Sequence, residues 1–178
     1  ASQGEWSHVV WRWDTDAASG SDRFIWWVNG EQQTSWNQNG EAYPSSYTSL
    51  FGYAATHYIG YYGDASQYSR MQIAEFHYAD GQRLSASDFG EFYNGLWRPK
   101  EVTSINYGNA GFYLDFKGSD ITTVLQDKSG NGNHGLNGGN SFTMNHVSEH
   151  DTPTNAFCIL ETNSFMAAES PAVYNGGT

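Results

Sequence analysis

The sequence predicts an all-β protein with antiparallel strands, long loops and one short helix. Aromatic residues make up 16% of the 178 residues, and 20 glycines punctuate the chain. Short runs of β-branched and aromatic residues alternate with glycine-containing turns, which is the pattern of strands joined by turns. In residues 71–100, for example, the strand-like run 72–78 is closed by Ala79-Asp80-Gly81, where glycine accepts a positive φ.

The first predicted elements form a hairpin. Residues 6–14 (WSHVVWRWD) are typical of a strand, and residues 24–28 (FIWWV) are continuously apolar, as in a strand covered on both faces. Asn29-Gly30 follows directly and predicts a type I′ turn. Residues 31–36 are therefore predicted to be the return strand.

The later strands are predicted to be shorter. Residues 57–61 and 112–116 are mostly aromatic or apolar and predict strands, whereas residues 91–106 are expected to be mostly irregular. Three aromatic residues are expected in the core: Trp27, Phe76 and Trp97.

The predicted short helix covers residues 88–92. Ser85 or Ser87 can cap its N-terminus, because a serine oxygen accepts a bond from a free backbone N–H of the first turn. Asp88 in that turn suits the positive end of the helix dipole.

The charge balance and the cysteine count exclude several classes of protein. Eight basic residues stand against nineteen acidic ones, for a net charge of −11. Nucleic-acid binding needs a basic patch that neutralises phosphates, so no nucleic-acid partner is expected. No apolar run reaches the roughly 18–20 residues of a membrane span, so no membrane insertion is expected. Cys158 is the only cysteine, which excludes an intrachain disulfide.

Residues 127–133 (DKSGNGN) carry oxygen-bearing side chains at alternate positions. Because Ca²⁺ takes about six to eight oxygen ligands, such a loop can supply some of them. The candidate ligands are Asp127, Ser129, Asn131 and Asn133. The alternative is an Asx-type turn that its own side chains stabilise without a metal. No other cofactor is expected.

Two loop regions, 36–53 and 58–68, concentrate tyrosine, asparagine, glutamine and serine. Aromatic rings stack on the apolar faces of sugars while amides bond the hydroxyls, and loops on a rigid scaffold often carry binding sites. The candidate glycan-binding residues are Trp36, Tyr43, Tyr47, Tyr53, Tyr61 and Tyr62. The same composition also suits contacts between subunits, and the sequence leaves both interpretations open.

Taken in order, these runs resemble the concanavalin A-like (laminin G-like) jelly-roll modules of bacteriophage tail-fibre and other virion fibre proteins. The resemblance covers roughly residues 4–155. It is carried by Trp6, His8, Val9, Val10 and Asp14, and by residues 27–30, 73–75, 80–84, 88–91, 95–100, 107–116, 127–133 and 151–155. It implies a concanavalin A-like antiparallel β-sandwich, with sandwiches of this superfamily often carrying a structural calcium.

The resemblance also implies how the chain is organised. Residues 1–108 would form the main part of the sandwich. Residues 109–178 would supply closing strands or start a second laminin G-like unit, with a loose C-terminal tail. The first motif, at Trp6, corresponds to a strand midway through the sandwich. The chain is therefore expected to be a processed or incomplete piece whose earlier strands lie elsewhere.

The function implied by the resemblance is structural and adhesive. The chain would be a non-enzymatic module of a phage fibre, spike or decoration protein, located on the virion surface or otherwise extracellular. Its partners would be other copies of itself or virion proteins, together with a host-surface polysaccharide.

An enzyme is the alternative of a different class. Glycanases on concanavalin A-like folds carry an E-x-D-x-x-E strand, and Glu75-Phe76-His77 lacks the carboxylates that would follow. Glycoside hydrolysis needs two carboxyls about 5–10 Å apart, and no spacing here predicts such a pair. No catalytic residues are therefore expected. A glycan-cleaving enzyme on the same fold and a purely architectural inter-subunit module remain the alternatives.

Overall fold

A computed structural model of the protein describes residues 6–35, 55–62, 67–69, 71–137 and 143–144. These residues form mostly strands with two short helices, so this part of the chain is all-β, as the sequence predicts. The strands are β1 (Val9–Trp13), β2 (Phe24–Val28), β3 (Glu31–Gln32), β4 (Tyr61–Tyr62), β5 (Gln67–Tyr68), β6 (Phe76–Tyr78), β7 (Gly90–Tyr93), β8 (Leu96–Pro99) and β9 (Phe112–Leu114). The helices are α1 (Ala86–Phe89) and α2 (Ile121–Val124), and Gly20–Asp22 forms a 3₁₀ turn.

The described residues divide into two compact units. The first unit falls within Ala1–Arg70 and Gly81–Ile105, and the second within Met71–Asp80 and Asn106–Thr178.

The first unit contains the predicted N-terminal hairpin. Strands β1, β2 and β3 pair antiparallel in that order, with Val10 opposite Trp27 and Arg12 opposite Ile25. The turn between β2 and β3 has φ 50° at Asn29 and φ 80° at Gly30, as a type I′ turn requires. The predicted Asn-Gly hairpin is therefore confirmed.

Helix α1 confirms one of the two predicted caps. Ser85 is the N-cap, and the Asp88 carboxylate accepts bonds from the Ser85 N–H (2.7 Å) and the Ser85 hydroxyl (3.0 Å). The helix lies earlier than the predicted 88–92 and ends at Phe89, because the residues from Gly90 onward pair as strand β7.

The expectation that residues 91–106 are mostly irregular is wrong over its first half. Strands β7 and β8 form an antiparallel hairpin around Asn94-Gly95, which has φ 50° and 80°. The Asn-Gly turn signal was present in the sequence at this point. It was masked by the helix signal that directly precedes it.

The second unit is built on an antiparallel pair between β6 and β9, with Phe76 opposite Leu114 and Tyr78 opposite Phe112. An isolated bridge joins Leu114 to Asp127 and so brings the 127–133 loop beside β9. The expectation of a single helix is wrong, because α2 is a second one. Asp120 caps it by accepting a bond from the Thr123 N–H at 3.0 Å.

Among the described residues, the buried apolar side chains are small or aliphatic. They are Val10 and Ala86 in the first unit and Leu114 and Val124 in the second. The expected core aromatics Trp27, Phe76 and Trp97 are only half-buried. In the residues that the structure describes, no helix is long and apolar enough to cross a membrane.

Candidate functional site

The four predicted loop residues are brought together around a single buried carboxylate, that of Asp127, which is 6% exposed. Its Oδ1 accepts bonds from the backbone N–H groups of Tyr113 (2.9 Å) and Ser129 (2.8 Å). Its Oδ2 accepts bonds from the Ser129 hydroxyl (2.9 Å) and the Asn133 N–H (2.9 Å). One side chain therefore receives four donors from three residues.

The two asparagines of this loop bind a neighbouring segment. The Asn131 amide nitrogen donates to the carbonyls of Gly108 (2.7 Å) and Gly111 (2.9 Å). The Asn133 amide nitrogen donates to the carbonyls of Asn109 (3.2 Å) and Gly111 (2.9 Å). The loop thus ties the residues that lead into β9 to the Asp127 carboxylate.

These contacts set the ionisation of Asp127. Burial alone would raise the pKa of its carboxyl, but the bonds from Tyr113, Ser129 and Asn133 favour the charged form more strongly, so the pKa is lowered from 3.8. Asp127 is therefore an anion at neutral pH, and its charge is stabilised by hydrogen bonds from Tyr113 of β9 and from Ser129 and Asn133 of the loop.

The oxygens of the loop already have hydrogen-bond partners within the protein. Both oxygens of Asp127 are used by loop donors, and the Ser129 hydroxyl donates to Asp127 while accepting from the Asn131 N–H at 3.2 Å. Ca²⁺ would need about six to eight converging oxygens. In the described ranges no group of three or more His, Cys, Asp or Glu side chains could hold a metal. The geometry is that of the Asx-type turn, and the calcium site stays a prediction.

A second polar cluster lies on the β6–β9 pair, and the sequence reasoning did not identify it. The His77 ring stacks on Tyr113, its partner across the strands, with ring centroids 4.1 Å apart. His77 Nδ1 lies 2.7 Å from the Tyr107 hydroxyl, and its Nε2 lies 3.5 Å from a Glu75 oxygen. The available signal was the alternation of Glu75 and His77 within the predicted strand 72–78, although Glu75 precedes β6 in the structure.

Burial and charge keep the two tyrosines of this cluster neutral. Burial first, and then the negative charges of Glu75 and Asp127, raise the pKa of Tyr107 to about 12. Burial and the charge and hydrogen bond of Glu75 also raise the pKa of Tyr113 well above its usual range. Glu75 itself has φ 59°, an uncommon backbone conformation for a residue other than glycine. The cluster joins strand β6 to Tyr107 and to strand β9 within the second unit.

The predicted glycan-binding residues are only partly covered by the structure. Trp36, Tyr43, Tyr47 and Tyr53 lie outside the described residues. Tyr61 and Tyr62 form β4, which pairs antiparallel with β5. The Tyr61 ring meets that of Tyr58 edge to face, with centroids 5.1 Å apart and an angle of 79° between the planes. Tyr58 is 57% exposed and Tyr61 is partly buried, so it is the Tyr58 ring that faces solvent here.

Comparison of the chain with protein-family models, with curated proteins and with solved structures finds no match in any of the three. The resemblance to concanavalin A-like virion modules therefore stays a prediction from the sequence motifs.

Proposed function

We propose that this chain is a non-enzymatic adhesive module that binds host-surface glycan from a virion fibre, spike or decoration protein. Its fold would be a concanavalin A-like jelly-roll β-sandwich, and its location the virion surface or the extracellular space. The observation that carries the proposal is the solvent-exposed ring of Tyr58, which lies edge to face with the partly buried ring of Tyr61 in strand β4.

An aromatic pair of this kind suits a sugar. The edge-to-face contact fixes the orientation of both rings before any ligand arrives, which lowers the entropy cost of binding. The exposed Tyr58 ring offers a flat apolar face, and its hydroxyl can bond a sugar hydroxyl. Since the chain carries a net charge of −11, a neutral polysaccharide is favoured over a strongly anionic one.

Retention of the intact protein on immobilised host-surface polysaccharide tests the proposal. Tyr58→Ala should weaken retention about 3- to 10-fold, the equivalent of roughly 0.5–1.5 kcal/mol for a lost aromatic contact. Tyr93→Ala is a matched control, because its ring is 56% exposed against 57% for Tyr58 but lies on the β7–β8 hairpin. Retention that depends on Tyr93 and not on Tyr58 would contradict the site.

Two further measurements on the same mixture separate the alternatives. New reducing ends would show glycan cleavage and overturn the non-enzymatic proposal. A loss of retention in EDTA would support the predicted calcium loop at Asp127, Ser129, Asn131 and Asn133. Since the Asp127 oxygens are already bonded within the loop, we expect EDTA to have no effect.

An architectural module that contacts other copies or virion proteins is the second candidate. It is favoured by the β7–β8 hairpin, where Phe92 is 59%, Tyr93 56% and Leu96 75% exposed. Large exposed apolar side chains on one hairpin are typical of protein–protein contacts. The absence of retention by assembled protein on any host polysaccharide would favour this candidate.

A further inference from the structure

An open cleft of about 480 Å³ lies in the first unit, on the face of the β1–β2 pair that carries Arg12 and Ile25. Its walls include two arginines and two aspartates around an apolar patch, namely Arg12, Asp14, Asp22, Ile25 and Arg83. Arg12 and Ile25 are directly opposite each other across β1 and β2, so their side chains project from the same face of the sheet. A cleft of this volume accommodates one or two sugar rings.

Two of the four charges in the cleft neutralise each other. Arg83 Nε lies 2.9 Å from Asp14 Oδ2, and an Arg83 terminal nitrogen lies 3.4 Å from Asp14 Oδ1. This fork-to-fork pair fixes one wall of the cleft and leaves it close to neutral.

Arg12 and Asp22 also line the cleft, and Arg12 has no ion-pair partner among the described residues. Its guanidinium lies over the Trp27 ring, 5.7 Å from the ring centroid. No carboxylate among the described residues pairs with it, and its Nε is buried without a hydrogen-bond partner there. A guanidinium offers five donors in a plane, and a carboxylate is the group that matches two of them at once. The chemistry of the cleft therefore favours a single carboxylate as ligand.

We propose that this cleft binds a sugar that carries one carboxylate, a uronic-acid unit, with the carboxylate on Arg12. The exposed Asp22 can accept bonds from sugar hydroxyls, and Ile25 offers an apolar surface to the ring. The proposal rests on the proposed function in taking a glycan as ligand, but it adds a second site and a substrate class. One carboxylate is compatible with the acidic chain, because Arg12 acts at short range, whereas net charge is screened beyond roughly 8 Å.

Titration of the intact ¹⁵N-labelled protein with glucuronate tests the proposal directly. We expect saturable shifts of amide signals from β1, with glucose and acetate each binding at least about tenfold more weakly. Equal affinity for glucose would overturn the role of the carboxylate. Equal affinity for acetate would overturn the role of the sugar ring, and no saturation at tens of millimolar would overturn the site. These outcomes use the unmodified protein, so they do not depend on any variant folding.

Arg12→Gln should lower glucuronate affinity at least about tenfold. Arg98→Gln is the matched control, because Arg98 is an exposed arginine of the same unit whose carboxylate partner, Glu91, lies 2.6 Å away and whose guanidinium also covers an aromatic ring. Equal loss in both variants would contradict the role of Arg12. Polysaccharide retention that depends on Tyr58 is measured separately. If the unmodified protein is retained on polysaccharide through Tyr58 but does not bind glucuronate, this proposal alone is overturned. If it binds glucuronate but its retention on polysaccharide does not depend on Tyr58, only the Tyr58 site is overturned.

Discussion

Two Asn-Gly turns in the first unit have the same backbone geometry and different surroundings. Asn29-Gly30 and Asn94-Gly95 both have φ 50° and φ 80°. A Cβ added to Gly30 would overlap the six-membered ring of Trp97, whereas a Cβ added to Gly95 would have no neighbour within 4 Å. The same dipeptide therefore makes the same turn twice, but only the first turn also forms part of a packed contact.

The packed contact centres on Trp97. Its indole N–H donates to His8 Nδ1 at 3.0 Å, and its ring lies against Gly30 and Gly90. His8 is bound to the same turn, because its backbone N–H donates to the Asn29 side-chain oxygen at 2.8 Å. The comparison shows that a turn sequence determines local conformation, while the energetic importance of the turn depends on distant residues.

The largest expected effect separates the two glycines. Gly95→Ala should cost about 1–2 kcal/mol, because alanine is disfavoured at a positive φ. Gly30→Ala should cost about 1–3 kcal/mol more than Gly95→Ala, because its methyl group also displaces the Trp97 ring. Denaturant unfolding measures the cost of both substitutions. Tryptophan fluorescence is a suitable signal, because all seven tryptophans lie within residues 6–97 of the chain, as do Gly30 and Gly95.

A third variant identifies the cause of the difference. In a Trp97→Ala background the two glycine substitutions should cost about the same free energy, because the ring that distinguishes them has gone. A difference that survives this background would mean that Trp97 is not what makes Gly30 special.

The two turns also show what could be predicted from the sequence. Asn29-Gly30 was predicted because it follows the apolar run FIWWV. The equivalent turn at Asn94-Gly95 was missed because the helix signal at Ser85 and Asp88 precedes it closely. The antiparallel all-β class depends on such local signals and was predictable.

Long-range contacts account for what could not be predicted. Strand β6 begins at Phe76 and not at residue 72, after the positive φ of Glu75, a conformation that no local pattern indicates for glutamate. The sequence predicted that Asp127 and Asn131 belong to one loop. That Asn131 donates to the carbonyls of Gly108 and Gly111, about twenty residues earlier, is set by tertiary structure alone.

In the second unit, the contact to compare with that of Trp97 is made by the Asp127 carboxylate, which forms hydrogen bonds instead of ring contacts. Asp127→Asn keeps the shape but turns one acceptor oxygen into a donor that faces the Ser129 hydroxyl and the Asn133 N–H. We expect a loss of about 2–3 kcal/mol, because buried donors are left unsatisfied. Hydrogen exchange at the amides of Tyr113, Ser129 and Asn133 reports the loss directly, since these three groups donate to Asp127.

The pH dependence of this loss has a definite sign. The pKa of Asp127 is lowered from 3.8 on folding, so its stabilising contribution is present above pH 3.8 and decreases as the pH falls through the folded-state value. The cost of Asp127→Asn should therefore be greatest near pH 7 and shrink in acid. Asp115→Asn is the control, because among the described residues its carboxylate accepts one bond, from the Lys117 N–H within its own turn at 3.1 Å, through an oxygen that asparagine keeps. An equal loss of stability in both variants would mean that the hydrogen bonds at Asp127 stabilise the protein no more than the single bond at Asp115 does.

The smallest expected effect concerns the alkaline limit of the same unit. Because the pKa of Tyr107 rises from 10.0 to about 12 on folding, the stability that its neutral form contributes is present below pH 10 and is lost between about pH 10 and 12. The ring is half-exposed and solvent screens its surroundings, so this loss should amount to about 1–2 kcal/mol. Tyr107→Phe removes the titrating group together with the bond to His77. The variant should be less stable than the parent at pH 8 but lose less stability toward pH 12, as measured by urea unfolding followed by near-ultraviolet circular dichroism.

Tyr93→Phe, at an exposed position in the other unit, should follow the parent curve throughout. A Tyr107→Phe curve that falls as steeply as the parent's would show that other groups determine the alkaline limit.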